Sequence, residues 1–158
     1  MDLTTHYLGF TLPHPFMPGA SPMVDNLDVV RWLEDAGAAA IVMHSLFEEQ
    51  IAREAESSFR PAPETFTLGP DEYLEQIRRI KAVVRVPVIA SLNGTSMGGW
   101  IDYARLIQEA GADALELNVY AVSADTARRG SDVEDITLEM IRGVKNTVRI
   151  PVAVKLSP

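Results

Sequence analysis

Short apolar runs alternate with longer amphipathic segments along most of the chain. Five runs, at residues 16–19, 39–43, 86–91, 114–119 and 152–156, are nearly continuous, as expected of strands that are covered on both faces. Between them, apolar positions recur with a helical period at residues 25–36, 71–84, 98–110 and about 133–147. In the second of these segments, Leu74, Ile77 and Ile80 fall on one face. The alternation predicts repeated βα units and a parallel sheet.

Residues 3–15 precede this pattern and differ from it. Their short apolar runs are broken by Gly9, Pro13 and Pro15, which predicts a small β-hairpin. We expect this hairpin, residues 1–15, to cover one end of the body. Residues 16–158 then hold four βα units and a fifth strand, and residues 1–158 form a single domain.

Two pairs of similar segments indicate a modular architecture. Residues 34–38 and 108–112 read Glu-Asp-Ala-Gly-Ala and Gln-Glu-Ala-Gly-Ala, and residues 84–88 and 148–152 read Val-Arg-Val-Pro-Val and Val-Arg-Ile-Pro-Val. A proline suits the first residue of a strand, because it cannot donate to the ladder. These joints and the hairpin favour the N-terminal half of a (β/α)8 barrel, whose full length is about 250 residues. Such a half would leave its first and fifth strands as open edges.

Composition narrows the classes of partner. The chain has 158 residues, of which 47% are hydrophobic, and a net charge of −8, with its basic residues scattered among acids. This argues against nucleic acid as a partner. The chain has no cysteine, which excludes thiolate metal sites and a cysteine nucleophile. It has no basic segment followed by an apolar run at its start and no bilayer-length apolar stretch, so we expect a cytoplasmic protein with no membrane partner.

Candidate chemistry lies where the predicted strands end. In parallel βα folds, functional groups gather at the carboxyl ends of the strands, where the loops diverge from a rigid scaffold. The residues found there are Ala20 and Ser21, His44 and Ser45, Ser91 and Asn93, Asn118 and Tyr120, and Lys155 and Ser157. We expect them to line one ligand-binding face.

Lys155 is the most informative of these residues. It lies within Val-Ala-Val-Lys-Leu, where an ammonium at a buried strand end needs an anionic or carbonyl partner. One hypothesis is that it stabilises electrons arriving on a ligand. The alternative is a structural ion pair with Glu116 on the neighbouring strand.

The amides and the histidine have two interpretations each. Asn118 can donate and accept, which suits a ring edge of alternating carbonyl and N–H groups, but it could equally tie a loop to the sheet. Asn93 precedes Gly94, so it either contacts a ligand or forms a turn. His44 could be a proton donor, an anion contact or a core histidine. No second histidine or acid stands at ligand spacing from it, which argues against a metal.

With these residues in hand, the chain resembles the first half of the dihydroorotate dehydrogenase family of FMN-dependent barrels. The likeness covers essentially the whole length and is carried by residues 8–21, by Leu-Glu-Leu-Asn-Val at 115–119 and by Val-Ala-Val-Lys-Leu-Ser-Pro at 152–158. It implies FMN as cofactor and two sets of contacts. The flavin contacts are Ala20, Ser21, Ser45, Asn93, Asn118 and Lys155, and the substrate contacts are His44 and Asn118.

The chain also departs from the family pattern. The family's catalytic base, a Cys or Ser, is replaced by Ala121, and Tyr120 and Ser123 are weak substitutes. His44 stands before Ser45 where the family usually has a lysine. The loops after strands seven and eight, which by resemblance hold the FMN phosphate, have no counterpart, so we expect weak or no flavin retention by residues 1–158 alone.

Three functions follow as hypotheses. The first is a flavin oxidoreductase acting on CH–CH donors in pyrimidine metabolism, with a small-molecule substrate that need not be dihydroorotate. The second is a non-redox lyase or isomerase in which Lys155 forms a Schiff base. The third is a non-catalytic, truncated half-barrel that assembles through its open edges, as a homo-oligomer or with a missing C-terminal half.

Overall fold

The computed structural model describes residues 1–55, 68–94, 98, 101–119 and 128–156. The predicted hairpin is present: β1 (Thr5–Tyr7) pairs antiparallel with β2 (Phe10–Leu12). Its turn contains Gly9 with a φ of 81°, a conformation that glycine adopts without strain.

The main sheet consists of four parallel strands in the order of the sequence. They are β3 (Ile41–Phe47), β4 (Val88–Asn93), β5 (Ala114–Val119) and β6 (Val152–Leu156). Each strand lies beside the next one in the chain, which is the arrangement that repeated βα units produce. The predicted parallel α/β fold is therefore confirmed. Within the described ranges, β3 and β6 are the two edge strands of the sheet. They do not pair with each other, so the sheet does not close into a barrel.

The predicted strand at residues 16–19 is wrong. This segment has no regular secondary structure, and among the described residues one backbone hydrogen bond, from Ala39 N to Phe16 O at 3.0 Å, connects it to the residues just before β3. Pro18, within the segment, has no N–H group, so it cannot donate to a strand ladder at that position. The described sheet therefore has four strands where the sequence pattern predicts five.

The four predicted helices are present with shifted ends, and one further helix was not predicted. The helices are α1 (Leu27–Asp35), α2 (Glu48–Ala55), α3 (Pro70–Lys81), α4 (Ile101–Glu109) and α5 (Gly130–Thr147), and a 3-10 helix spans Pro22–Asp25. The first helix starts after Asn26, whose Oδ1 accepts hydrogen bonds from the N–H groups of residues 28 and 29. The missed helix α2 is short, so its periodicity is weak evidence.

The sheet separates two apolar layers. On its outer face, Leu92 and Leu117 pack with the helices around Tyr73, which is fully buried. On its inward face, which carries Ser91 and Asn93, the lower strand positions pack against the hairpin in a smaller cluster. The upper part of the inward face is left to polar side chains.

The two similar helix ends form the same structural joint. Glu34 Oε1, at the end of α1, accepts hydrogen bonds from the backbone N–H groups of residues 85 and 86, at 2.6 and 3.1 Å. Gln108 Oε1, at the end of α4, accepts them from residues 149 and 150, at 2.6 and 3.2 Å. In both joints, the side-chain oxygen at the end of a helix accepts hydrogen bonds from two backbone N–H groups. These groups lie just before the second strand that follows that helix, which is β4 after α1 and β6 after α4. The repeated sequence marks a repeated structural unit.

Candidate functional site

Two rows of polar side chains cross the carboxyl ends of the strands. The lower row contains Ser45, Ser91 and Glu116, which are neighbours in the register of β3, β4 and β5. The upper row contains Asn93, Asn118 and Lys155 on β4, β5 and β6. Residues two apart on a strand point to the same face, so both rows lie on the inward face. The structure thus brings together Ser45, Asn93, Asn118 and Lys155, as the strand-end pattern predicts.

The two asparagines and two serines form a connected set. The Oγ atoms of Ser45 and Ser91 lie 2.8 Å apart, and Ser91 is completely buried. Asn118 Nδ2 lies 3.5 Å from Ser45 Oγ, at the outer limit of a hydrogen bond. Asn93 Nδ2 donates to the backbone oxygen of Asn118 at 3.1 Å. Asn93 is the last residue of β4, and its side chain binds the backbone of the neighbouring strand β5 instead of forming a turn.

Lys155 and Glu116 form the ion pair that was the alternative interpretation of Lys155. Nζ lies 3.2 Å from Oε1, but without the alignment of a hydrogen bond. The Lys155 side chain is 47% exposed and that of Glu116 is 17% exposed. Because an ammonium has three donors, Lys155 retains donors on its exposed side. The pairing orients the charge and leaves it accessible to a ligand.

A β-bulge positions Ser45. The register between β3 and β4 shifts between Val42 and Ser45, and the extra residue turns Ser45 toward Ser91. The Tyr73 hydroxyl lies 3.0 Å from both the His44 and the Ser91 carbonyl oxygens and accepts a hydrogen bond from Ser91 N at 2.9 Å. Burial raises the pKa of the Tyr73 phenol far above its ordinary range, so the hydroxyl keeps its hydrogen. Tyr73 thereby links the bulge to β4.

His44 has an acidic partner that its sequence neighbourhood did not reveal. Its Nδ1 lies 3.0 Å from Oδ1 of Asp25, which ends the 3-10 helix, and both side chains are less than one-fifth exposed. The imidazole also packs edge-on against the Tyr73 ring, with 5.2 Å between centroids. Burial lowers the pKa of His44, and the Asp25 carboxylate partly opposes this.

A cavity of about 260 Å³ lies between the hairpin and the inward face. Its lining includes Tyr7 from β1, Val42, Ile89 and Glu116. Burial, and then the charge of Glu116, raise the pKa of Tyr7. Glu116 therefore connects the lower polar row to this cavity.

The remaining predicted residues are not joined to the two rows. Ala20 is exposed, and Ser21 precedes the 3-10 helix without a side-chain capping hydrogen bond. Tyr120, Ala121 and Ser123 lie outside the described residues.

Four residues near the strand ends, Ser91, Glu116, Asp25 and Tyr73, are not among the predicted flavin and substrate contacts. The first two had a signal, because Ser-Leu-Asn at 91–93 and Glu-Leu-Asn at 116–118 place a polar residue two positions before each asparagine. The other two carry no such local signal. They reach the strand ends through the packing of the 3-10 helix and α3.

No group of three or more His, Asp or Glu side chains among the described residues could hold a metal ion. None of the described helices has the length and apolar character needed to cross a membrane.

The fold and the candidate site define a parallel βα protein with a polar face at the carboxyl ends of its strands. Solved structures with the same fold include dihydrodipicolinate synthase DapA-2 from Bacillus anthracis, with a TM-score of 0.57, 21% identity and coverage of 88% of this chain and 44% of that one. A phosphonopyruvate hydrolase complex with oxalate and Mg²⁺ gives a TM-score of 0.58 at 20% identity, covering 90% of this chain and 48% of that one. These neighbours are β/α barrels, and at this identity the likeness concerns the fold alone.

Two curated proteins are similar to this chain over nearly its whole length. The catalytic subunit of dihydroorotate dehydrogenase B (NAD(+)) from Thermoplasma acidophilum is 32% identical over 99% of this chain and 55% of its own length. The NAD-dependent dihydropyrimidine dehydrogenase subunit PreA from Escherichia coli is 26% identical over 99% of this chain and 42% of its own length. The chain is a relative of the dihydroorotate dehydrogenase-like family over nearly its whole length, which confirms the predicted resemblance. It spans about half the length of these relatives, and no family model matches it.

Proposed function

We propose that the chain carries part of the flavin face of a dihydroorotate dehydrogenase-like oxidoreductase whose substrate is a dihydropyrimidine ring. The observation that carries the proposal is the upper polar row, in which Asn93, Asn118 and Lys155 stand side by side on three strands. The names of the two relatives, one acting on dihydroorotate and one on dihydropyrimidines, supply the substrate class.

The donor set of the two rows fits FMN. The pyrimidine edge of a flavin presents carbonyl oxygens and ring nitrogens, which amide, hydroxyl and ammonium groups can bind. Asn118, Ser45 and Lys155 provide these three groups on one face. Ser45 is held by Ser91, so its hydroxyl is ordered before any ligand arrives. A pre-ordered set of donors lowers the entropy cost of binding.

When bound, FMN would supply two-electron redox chemistry, and the residues of this chain would supply orientation and charge. The exposed part of the Lys155 ammonium would stabilise negative charge on the ligand, because Glu116 holds this cation at a fixed position beside the ligand. Asn118 would orient the ring through its amide. Ala20 and Ser21 are proposed as further flavin contacts, on the resemblance alone.

We propose that further polypeptide completes the site. The chain spans about half the length of its relatives, and β6 lies at the edge of the described sheet, where Leu156 is 66% exposed. By resemblance, the FMN phosphate would be held by elements that follow the fifth strand. A second copy or a separate C-terminal half would provide them and cover the apolar edge.

Size-exclusion chromatography with in-line flavin absorbance tests the proposal, using the chain with and without FMN. A fluorescence titration with FMN then compares the variants Lys155→Met and Lys145→Met, since Lys145 lies exposed on α5. We expect weak FMN binding that drops about tenfold in Lys155→Met, or about 1.4 kcal/mol, and is unchanged in the control. Equal affinity in both variants would contradict the assignment of Lys155.

The Schiff-base hypothesis predicts a different result. Sodium borohydride added with pyruvate would attach the substrate covalently to Lys155, which mass spectrometry detects. The ion pair of Lys155 Nζ with the Glu116 carboxylate supports a charge role instead. We expect no adduct, and an adduct that Lys155→Met removes would replace the redox proposal.

A further inference from the structure

Helices α3 and α5 end in the same way, because their sequences repeat. Residues 74–81 read Leu-Glu-Gln-Ile-Arg-Arg-Ile-Lys, and residues 138–145 read Leu-Glu-Met-Ile-Arg-Gly-Val-Lys. The final lysines, Lys81 and Lys145, precede the first residues of β4 and β6, Val88 and Val152, by the same number of positions. The end of α5 and the start of β6 are therefore the counterpart of the end of α3 and the start of β4.

At the end of α3, Asp113 connects three parts of the fold. Its carboxylate oxygens Oδ1 and Oδ2 accept hydrogen bonds from Lys81 Nζ at 2.9 and 2.7 Å, and Oδ2 also accepts one from Val88 N at 2.7 Å. The backbone N–H of Asp113 donates to Val88 O at 2.9 Å. Because Asp113 directly precedes β5, one acidic residue connects α3 and β4 to the next strand of the sheet.

The end of α5 has the lysine without an acid. Lys145 is exposed and makes no ion pair within the part of the chain that the structure describes, whereas the Lys81 side chain is 31% exposed. The apolar side of the helix differs in the same sense. Leu74 on α3 is 5% exposed, and its counterpart on α5, Leu138, is 44% exposed. Among the described residues, α5 therefore lacks the neighbours that cover α3.

The first residue of β6 directs its N–H group to the open edge of the sheet. Leu115 N, on β5, donates to Pro151 O at 2.9 Å, so this carbonyl group points toward β5. Pro151 O and the N–H of Val152 belong to one trans peptide group, in which the two point in opposite directions. The N–H of Val152 therefore faces away from β5, as the N–H of Val88 faces Asp113.

A second copy of the chain offers no free acid at the start of its described sheet strands. The Ala-Gly-Ala joint before β5 recurs before β3, where Ala39 stands at the position of Asp113. Ala39 N donates to Phe16 O at 3.0 Å, so the backbone part of the joint forms there without a carboxylate. The start of β6, at residues 148–152, holds no acid. Asp113 is already bonded to Lys81, and two copies would each carry a net charge of −8.

We propose that Leu138, Lys145 and Val152 form a docking surface for a βα element of further polypeptide whose strand starts with an aspartate or glutamate. The carboxylate accepts hydrogen bonds from Lys145 Nζ and Val152 N, and the backbone N–H of the acidic residue donates to Val152 O. Packing of the element reduces the exposure of Leu138. This inference rests on the proposed function for the presence of further polypeptide, and it specifies that this polypeptide is not a second copy of residues 1–158.

The docking surface lies at the opposite end of the sheet from the polar rows. Val152 begins β6, whereas Asn118 and Lys155 stand toward the carboxyl ends of β5 and β6. The surface therefore serves assembly and does not contact the ligand. For this reason, Lys145→Met leaves FMN binding by residues 1–158 unchanged, although it weakens docking of the completing segment.

Competitive acetylation of lysines, measured by mass spectrometry, tests whether Lys145 is free. The chain has three lysines, Lys81, Lys145 and Lys155, so each is resolved in a digest. We expect Lys145 to react at least about fivefold faster than Lys81, whose hydrogens are held by a carboxylate. Equal rates, or a Lys145 rate that falls as the chain concentration rises, overturn the proposal, since the lysine then has a partner in this chain or in a second copy.

The chain's own acid-bearing βα element serves as the probe for docking. Residues 95–119 are repeated after Pro158, which preserves the spacing between Val88 and Asp113 and adds no lysine. One version keeps the acid of the appended copy, and the other carries Asp113→Ala in that copy. We expect the acid to slow acetylation of Lys145 at least about fivefold, to the rate of Lys81, and the alanine version to leave it fast. Equal Lys145 rates in the two versions overturn the proposal, and Lys81 is the internal control.

The two proposals fail separately. If FMN affinity depends on Lys155 but acetylation of Lys145 is insensitive to the appended acid, the docking surface is wrong and the proposed function stands. If the appended acid protects Lys145 while FMN affinity is equal in Lys155→Met and Lys145→Met, the flavin assignment is wrong and the docking surface stands.

Discussion

The hydroxyl oxygens of Ser45 and Ser91 lie 2.8 Å apart in a buried position where β3 and β4 run side by side. Each hydroxyl satisfies the other, so neither is left without a partner away from water. Because Ser45 also lies 3.5 Å from Asn118 Nδ2, this contact is the innermost link of the candidate site. Four predictions follow from this region and from the joints that support it.

The serine pair predicts a non-additive stability effect. Ser45→Ala strands the buried Ser91 hydroxyl and should cost about 1–3 kcal/mol of unfolding free energy. The double variant Ser45→Ala/Ser91→Ala should cost less than the sum of the two single changes, because no hydroxyl remains unpaired. Urea denaturation measures both. Ser131→Ala on the exposed start of α5 is the control, at most about 0.5 kcal/mol; additive losses would contradict the pairing.

The hydroxyl group of Tyr73 is expected to stabilise the backbone at the β-bulge of β3 and at Ser91 of β4. Tyr73→Phe keeps the buried ring but removes the hydroxyl that serves backbone atoms of His44 and Ser91. We expect a loss of about 1–3 kcal/mol, since the Ser91 N–H is left unsatisfied. Amide hydrogen exchange should show faster exchange at Ser91 in this variant. Tyr7→Phe on the hairpin is the matched control, and an equal effect there would argue against a special role for Tyr73.

His44 predicts a stability change on the acid side of neutrality. Burial lowers the pKa of folded His44, so below about pH 6.5, the ordinary value for histidine, the unfolded chain binds the proton more readily. The unfolding free energy should therefore fall as the pH drops from 7 through this window and level off below the folded pKa. Chemical denaturation of the wild type and His44→Gln at each pH measures the contribution of His44 to the unfolding free energy. His6→Gln is the control. A difference between wild type and His44→Gln that stays constant with pH would contradict it.

Because Glu34 and Gln108 occupy the same place in the two joints, we expect glutamate and glutamine to stabilise a joint equally. Glu34 and Gln108 perform the same task with an Oε1 atom, so Glu34→Gln should change the unfolding free energy by less than about 0.5 kcal/mol. Glu34→Ala should cost about 0.5–1.5 kcal/mol, because two backbone N–H groups lose their acceptor. Thermal unfolding of the pair of variants separates the two outcomes. Equal losses in both would mean that the charge, and not the acceptor, matters.

The repetitive parts of the fold could be predicted from sequence. Apolar runs and helical periods are local signals, and the similar joints at residues 34–38 and 108–112 repeat them. For the same reason, the sequence alone places Asn93, Asn118 and Lys155 at strand ends. Their common face then followed from the two-residue period of a strand.

Other features depended on contacts that local patterns do not encode. The apolar segment at 16–19 is wrongly predicted as a strand, because its hydrophobicity does not reflect that Pro18 has no N–H group to donate to a ladder. Helix α2 was missed because eight residues give little periodicity.

The sequence by itself determined the βα order, the hairpin and the strand-end positions of the polar residues, since each depends on neighbours a few residues away. Only the tertiary structure decided which of these residues meet. The bulge that turns Ser45 toward Ser91, the contact of His44 with Asp25 and the ion pair of Lys155 with Glu116 join separate elements. Strand register and helix packing set such distances, and both arise from the whole core.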